Sequence, residues 1–166
     1  MTHVLVGVDG SEHSKKALRR AMEEAKLREA TLEVVYVFEP PRRSLAEELI
    51  GRPYGLASVG RQPISPDEPA HHPPDPVKAA RADALERLGA FVEDVVGDMD
   101  GPEPRLNPIP GEHPAEALIA ETRDADLLVI GTRGLGGFAG MLVGSVAHQC
   151  IQHAHCPLLV LPPNDD

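Results

Sequence analysis

The chain lacks tryptophan, and aromatic residues make up only 3% of its 166 residues. A hydrophobic core must therefore be built from aliphatic side chains, which a hydrophobic content of 42% supplies. This length suits one domain with one core, and we expect residues 1–166 to form a single domain.

Cysteine is scarce too, since Cys150 and Cys156 are the only two. Their spacing is not that of a C-x-x-C pair and no second pair exists, so we predict no metal site. Two unpaired thiols are typical of a reducing compartment. No basic leader or long apolar run follows Met1, so we expect no signal peptide, no transmembrane segment and a cytoplasmic location.

Basic residues are outnumbered: 16 Lys and Arg stand against 26 Asp and Glu, for a net charge of −10. This balance disfavours nucleic acid and anionic membranes as partners, because both need a basic face. It also opposes the long-range attraction of an anionic nucleotide. Any phosphate site must therefore depend on local groups.

Short apolar runs alternate with amphipathic segments along the chain. The runs predict strands at 4–8, 31–38, 105–109, 126–130 and 157–161. Apolar residues at helical spacing predict helices at 14–29, 77–96, 114–123 and 146–154. The same spacing predicts that Leu85, Leu118 and Ala120 face the core. This alternation is typical of an α/β fold with a parallel sheet. Prolines in and around 105–109 place that strand at an edge.

A proline-rich segment at about 40–76 interrupts this rhythm and holds nine of the 17 prolines. We interpret it as an insertion or a mobile loop, which is either functional or disordered. Within it, Ser44 to Ile50 is compatible with one short helix. His71 and His72 also lie here, and solvated surface histidines are their simplest interpretation.

The stretch from Gly131 to Ser145 carries the chemistry. Its glycines and serine have the spacing Gly131-x2-Gly134-x9-Gly144-Ser145, between a predicted strand and a predicted helix. Free N–H groups at a helix start favour a phosphate, and glycines let the backbone approach it. No Gly-Lys-Ser/Thr follows, so this is not a P-loop. The alternative is a loop whose glycines only make turns.

A second polar loop, Asp9-Gly10-Ser11, ends the first predicted strand. In an open parallel sheet, ligands bind at the carboxyl ends of strands where the strand order reverses. If the first and fourth strands are neighbours, both loops face one crevice. Ser11 or Ser14 is a candidate cap of the first helix, and Ser145 is the predicted cap of the last.

Taken together, these motifs resemble the universal stress protein family along almost the whole chain. The signature Gly131, Gly134, Gly144 and Ser145 is met in full, and further similar stretches lie at 6–11, 111–115, 126–131 and 155–160. The resemblance implies an adenine nucleotide alpha hydrolase-like, Rossmann-like fold with helices on both faces of a sheet of order 3-2-1-4-5. It also implies a homodimer joined through the last strand, 157–161.

The resemblance further implies an adenine-nucleotide site. Asp9, in the loop with Gly10 and Ser11, would lie beside adenine and ribose, and Val37 would contact the adenine ring through its backbone. The glycine-rich stretch would hold the ribose and phosphates through Gly131, Gly134, Gly144, Ser145 and Val146. Arg133 is either a partner for an outer phosphate or an arginine that only contacts solvent.

Nothing in the sequence pairs a nucleophile with a base, and no Walker lysine is present, so we expect no enzyme. The expected ligand is ATP, ADP or AMP, with or without Mg²⁺, in a nucleotide-responsive stress or signalling protein read by an unknown partner. Alternatives are a dimeric interaction protein that binds no nucleotide, a slow ATPase, and a flavodoxin-like electron carrier. The last is disfavoured because few aromatic residues are available to stack on a flavin.

Overall fold

The computed structural model describes residues 2–41, 75–134 and 143–162. Among them, strands and helices alternate as the sequence predicts. The strands are β1 (His3–Val8), β2 (Thr31–Phe38), β3 (Arg105–Pro110), β4 (Leu127–Gly131) and β5 (Leu158–Leu161). The α-helices are α1 (Glu12–Leu27), α2 (Pro76–Val96), α3 (Pro114–Glu121) and α4 (Ser145–His153).

The five strands form one sheet in the order β3-β2-β1-β4-β5, which confirms the predicted order. Every pairing is parallel, and β1 lies between β2 and β4, with Val6 opposite both Val34 and Val129. The loops that follow β1 and β4 therefore lie side by side at the same edge of the sheet, as the switch-point argument requires.

Helices cover both faces of this sheet. On one face, α1 and α2 pack against β-strand residues such as Val6 and Val34, and on the other α3 and α4 cover residues such as Leu5 and Leu128. Both faces of the central strands are apolar, which explains their nearly continuous hydrophobic sequence. In the part of the chain that the structure describes, no helix is both long and apolar enough to cross a membrane.

Strand β3 is an edge strand, as its prolines predict. The N–H of Gly111 donates to the Phe38 carbonyl of β2, at an N···O distance of 2.9 Å. Because the N–H groups of an extended chain alternate in direction, positions 108 and 110 point away from β2. Both positions are proline, so the outer side of β3 lacks these two donors.

Some predicted boundaries and faces are wrong. Helix α1 begins at Glu12 rather than Ser14, because the Ser11 hydroxyl accepts a hydrogen bond from the Ser14 N–H and caps the helix. Ala120, predicted to face inward, is exposed, and Leu85, predicted to be buried in α2, is 43% exposed. Helix α3 ends in a 3₁₀ turn, Thr122–Asp124, which the pattern did not distinguish from α-helix.

The proline-rich segment at about 40–76 stays a prediction, as does the extent of the single domain. Residues 42–74 lie outside the described part, and with them the short helix predicted at Ser44 to Ile50 and both His71 and His72.

Candidate functional site

A cavity of about 420 Å³ opens at the carboxyl ends of β1, β2 and β4. The N-terminus of α4 and the start of α3 complete its wall. We call it the main cavity. Most of the residues that the sequence predicts for the site line it: Asp9, Val37, Gly131, Arg133, Gly134, Gly144, Ser145 and Val146. The fold thus brings together two loops that are more than 100 residues apart in the chain.

One wall of the main cavity is apolar. Its wall includes Val35 and Val37 of β2, Ile130 of β4, and Leu118 of α3. Of these, only Val37 was predicted. The others were interpreted as core residues, and the helical spacing of Leu118 gave no sign that it lies at a cavity. An apolar wall of this kind suits a flat ring.

The loop after β1 is held together by hydrogen bonds within itself. Asp9 Oδ1 accepts from the Ser11 N–H at 3.0 Å and from the Ser11 hydroxyl at 2.6 Å. Ser11 is buried and lies outside the lining of the main cavity. Its hydroxyl therefore orients Asp9 and caps α1, while a ligand contact for Ser11 stays a prediction.

Gly10 also lies outside the main cavity lining. It has a φ of 86°, a conformation that favours glycine, and lines a neighbouring cavity of about 230 Å³. Tyr36 and Phe91 lie on the wall of that smaller cavity, and Asp9 lines both the smaller cavity and the main cavity. Gly10 thus gives the loop its turn, and its predicted ligand role is untested.

Asp9 reaches across the crevice to the second loop. A Cβ atom added to Gly134 would overlap Asp9 Oδ2, so the carboxylate occupies the space that a side chain at 134 would need. The two predicted loops therefore meet at Asp9 and Gly134, and the absence of a side chain at 134 permits the contact.

The other signature glycines lie against protein backbone. A Cβ atom on Gly131 would lie 3.2 Å from the His13 carbonyl oxygen, and one on Gly144 would lie 3.2 Å from the Thr132 carbonyl oxygen. The Gly144 N–H donates to that Thr132 oxygen at 2.6 Å. These glycines let β4 approach α1 and let both ends of the loop approach each other, a role that spacing alone did not reveal.

The prediction that Ser145 caps the last helix is wrong. Gly144 is the N-cap residue, with extended φ of −72° and ψ of 162°, and Ser145 is the first helical residue. Among the described residues, no side chain caps α4, and the first turn of this helix contains no acidic residue. Backbone N–H groups in a first helical turn have no intrahelical acceptor, so this end of the cavity offers donors and the positive end of a dipole.

The ionisable groups at the main cavity are few. Among the described lining residues, Asp9 is the one carboxylate and Arg133 the one cation, and neither histidine nor cysteine lines it. Cys150 lies on the buried side of α4, and burial raises the pKa of its thiol to about 11. It therefore stays protonated at neutral pH and is a poor nucleophile. Cys150 and Cys156 are both free.

Comparison with known proteins identifies the family. The model of the universal stress protein family matches residues 1–162 of this chain. A universal stress protein of Thermus aquaticus is 30% identical over 158 residues, which cover 95% of this chain and 96% of the relative. This chain also matches a longer relative from Mycolicibacterium smegmatis at 30% identity, of which it spans 48%.

Solved structures share the fold. A universal stress protein from Lactobacillus plantarum aligns over 96% of this chain and 97% of its own, with a TM-score of 0.63 and 22% identity. A universal stress protein in complex with cAMP aligns over 98% of both chains, with a TM-score of 0.59 and 22% identity. Other structural neighbours were solved with dAMP, from Archaeoglobus fulgidus, and with AMP, from Arabidopsis thaliana. From the family match and the shared fold, we conclude that this chain belongs to the universal stress protein family.

Proposed function

We propose that this chain binds an adenine nucleotide, ATP, ADP or AMP, in the main cavity. The observation that carries the proposal is the combination, in one cavity, of an apolar wall and the N-terminus of α4, which no described side chain caps. A nucleotide needs both, a slot for its base and N–H donors for its phosphates. The spacing from Gly131 to Ser145 and the ligands of the structural neighbours support it.

The charged groups of the main cavity favour one orientation of the bound nucleotide. The Asp9 carboxylate repels phosphate and accepts hydrogen bonds from ribose hydroxyls or the adenine amine. Arg133 and the first turn of α4 attract phosphate. We therefore propose that the base lies toward Val37, the ribose near Asp9, and the phosphates at Ser145 and Val146.

The described residues at the main cavity do not form a resident Mg²⁺ site. Asp9 is the one carboxylate among the described lining residues, and its Oδ1 already accepts two hydrogen bonds from Ser11. Among the described residues, no group of three or more His, Cys, Asp or Glu is placed to hold a metal. Because Mg²⁺ binds through phosphates and few carboxylates, we propose that any Mg²⁺ enters with the nucleotide.

Binding rather than hydrolysis is the proposed activity. Among the described lining residues, Asp9 alone could act as a base, and neither histidine nor lysine is present. The nucleotide would then act by shifting the equilibrium between two conformations of the protein, one of which presents a surface that a partner recognises. An ATPase assay with a large excess of ATP tests this part, and turnover well above background would contradict it.

The proposed assembly is a homodimer through β5. This strand, Leu158–Leu161, is a short apolar edge whose residues are all only partly buried in one chain. An exposed apolar edge strand favours pairing with another chain. Light scattering at several protein concentrations is expected to give the mass of a dimer, and a monomer at all concentrations would contradict the assembly.

Nucleotide binding is tested on the freshly purified protein. Mass spectrometry of small molecules released by denaturation is expected to detect an adenine nucleotide, and titration calorimetry with ATP and AMP on the stripped protein is expected to show one site per chain. GTP is the control for base selectivity. If no nucleotide is released and the titrations show no heat of binding, the result would favour the alternative of an interaction protein that binds no nucleotide.

A further inference from the structure

The smaller cavity, of about 230 Å³, lies on the face of the sheet that α1 and α2 cover, whereas α3 and α4 border the main cavity. Side chains alternate along β2, so Val35 and Val37 line the main cavity while Tyr36 lines the smaller one. Leu88 and Phe91 of α2 form the facing wall. The two cavities therefore take different side chains from the same sheet.

Aromatic residues are concentrated at the smaller cavity. The chain has three Phe and two Tyr, and the structure describes Tyr36, Phe38 and Phe91 among them. Phe38 is buried, as an aromatic ring in a core should be. Tyr36 and Phe91 border the core but stay partly exposed, and both line the smaller cavity. Two rings that keep accessible surface at one cavity, in a chain so poor in aromatics, indicate a ligand that covers them.

The charges at the smaller cavity favour a cationic ligand. Among the described lining residues, Asp9 and Arg87 carry charge. A guanidinium nitrogen of Arg87 lies 2.6 Å from Asp83 Oδ2, one turn earlier in α2, so its charge is already balanced. The aliphatic stem of Arg87 is then free to cover apolar surface. Asp9 adds a carboxylate, and the net charge of −10 attracts cations at long range.

We propose that the smaller cavity binds a small alkylated ammonium ion. The faces of aromatic rings attract cations, and quaternary ammonium groups are recognised in this way. The alkyl groups of such an ion pack on Leu88 and on the two rings, while its charge is attracted by the rings and by Asp9. The inference does not rest on the proposed function, because only Val8 and Asp9 line both cavities.

Choline is the probe, and NMR titration of the ligand-free protein is the measurement. Saturable shifts are expected at the backbone amides of Gly10, Leu88 and Phe91. The control ligand is the neutral tert-butyl analogue of choline, in which carbon replaces the ammonium nitrogen. It has the same shape without the charge, so it is expected to bind several-fold more weakly. Benzoate, an aromatic carboxylate, tests the opposite charge and is expected not to bind here.

Substitutions separate the rings from the ion pair. Phe91→Leu removes a ring and keeps an apolar side chain, so the affinity for choline is expected to fall about two- to thirtyfold. Phe91→Tyr keeps the ring and is expected to bind nearly as tightly as the wild type. Arg87→Met removes the cation and keeps an apolar stem, so choline is expected to bind as tightly or more tightly. If Phe91→Leu does not fold, Tyr36→Leu and its control Tyr36→Phe replace this pair.

The outcomes that would overturn the proposal are distinct. Equal binding of choline and its neutral analogue would show an apolar site without preference for a cation. Binding of benzoate that Arg87→Met abolishes would assign the site to an anion. No saturable shift at these amides, or equal choline affinity in wild type and Phe91→Leu, would remove the aromatic site altogether. Each of these results leaves nucleotide binding in the main cavity untouched.

Discussion

Replacing Gly134 with valine is expected to lower the affinity for ATP and AMP by at least about a hundredfold, or about 2.7 kcal/mol. A side chain at 134 overlaps Asp9 Oδ2 and forces the carboxylate to move. Asp9 then loses the position that its hydrogen bonds with Ser11 define, and the valine fills space between the two loops. Gly134 is exposed, so the fold itself is expected to survive. Titration calorimetry and circular dichroism measure the two effects.

Gly89→Ala is the control for this substitution. Gly89 lies in α2, away from the main cavity, and an added Cβ would make an ordinary contact, 3.6 Å from Leu106 Cδ1. Alanine in a helix interior is favoured over glycine by about 1 kcal/mol, so this variant is expected to be slightly more stable with unchanged affinity. Wild-type affinity in Gly134→Val would show that the nucleotide binds elsewhere.

Replacing Leu128 with alanine is expected to lower the free energy of unfolding by about 3–5 kcal/mol. Leu128 is 0% exposed in β4, between Leu5 on β1 and Leu158 on β5. The substitution removes buried apolar contacts and leaves a cavity that parallel strands on both sides cannot collapse to fill. Since domains of this size are stable by roughly 5–15 kcal/mol, the loss is a large share of the total.

Urea unfolding followed by circular dichroism measures this loss, provided that the slope with denaturant is unchanged. Leu27→Ala provides the matched control, because Leu27 is 78% exposed at the end of α1. That substitution is expected to change stability by no more than about 0.5 kcal/mol. Equal effects at the two positions would contradict the assignment of Leu128 to the core.

The fold was largely accessible from the sequence because its signals are local. Strand β2 has the predicted bounds, Thr31–Phe38, since a run of apolar residues is enclosed by clear breaks. The edge position of β3 followed from its prolines. Errors arose where a tertiary contact decides which residues are buried or where a capping contact decides the end of a helix. Whether Ala120 of α3 is buried depends on what packs over that helix, which helical spacing does not report.

The site was predicted in part, for a similar reason. Residue types suited to phosphate identified Asp9 and the glycine-rich stretch, and parallel topology brought them together. Leu118 was missed because an apolar residue at a cavity has the same sequence pattern as one in the core. The predicted cap Ser145 is the first helical residue and Gly144 is the cap, an error of one residue at a helix end.

The prolines of β3 have a consequence for higher-order assembly. A sheet with two open edges can add further copies at both and grow into a filament, whereas a sheet with one open edge can only close into a twofold pair. Because Pro108 and Pro110 remove donors from the outer side of β3, β5 is left as the edge suited to self-association. The same residues that terminate the sheet are thus expected to oppose open-ended polymerisation of this protein.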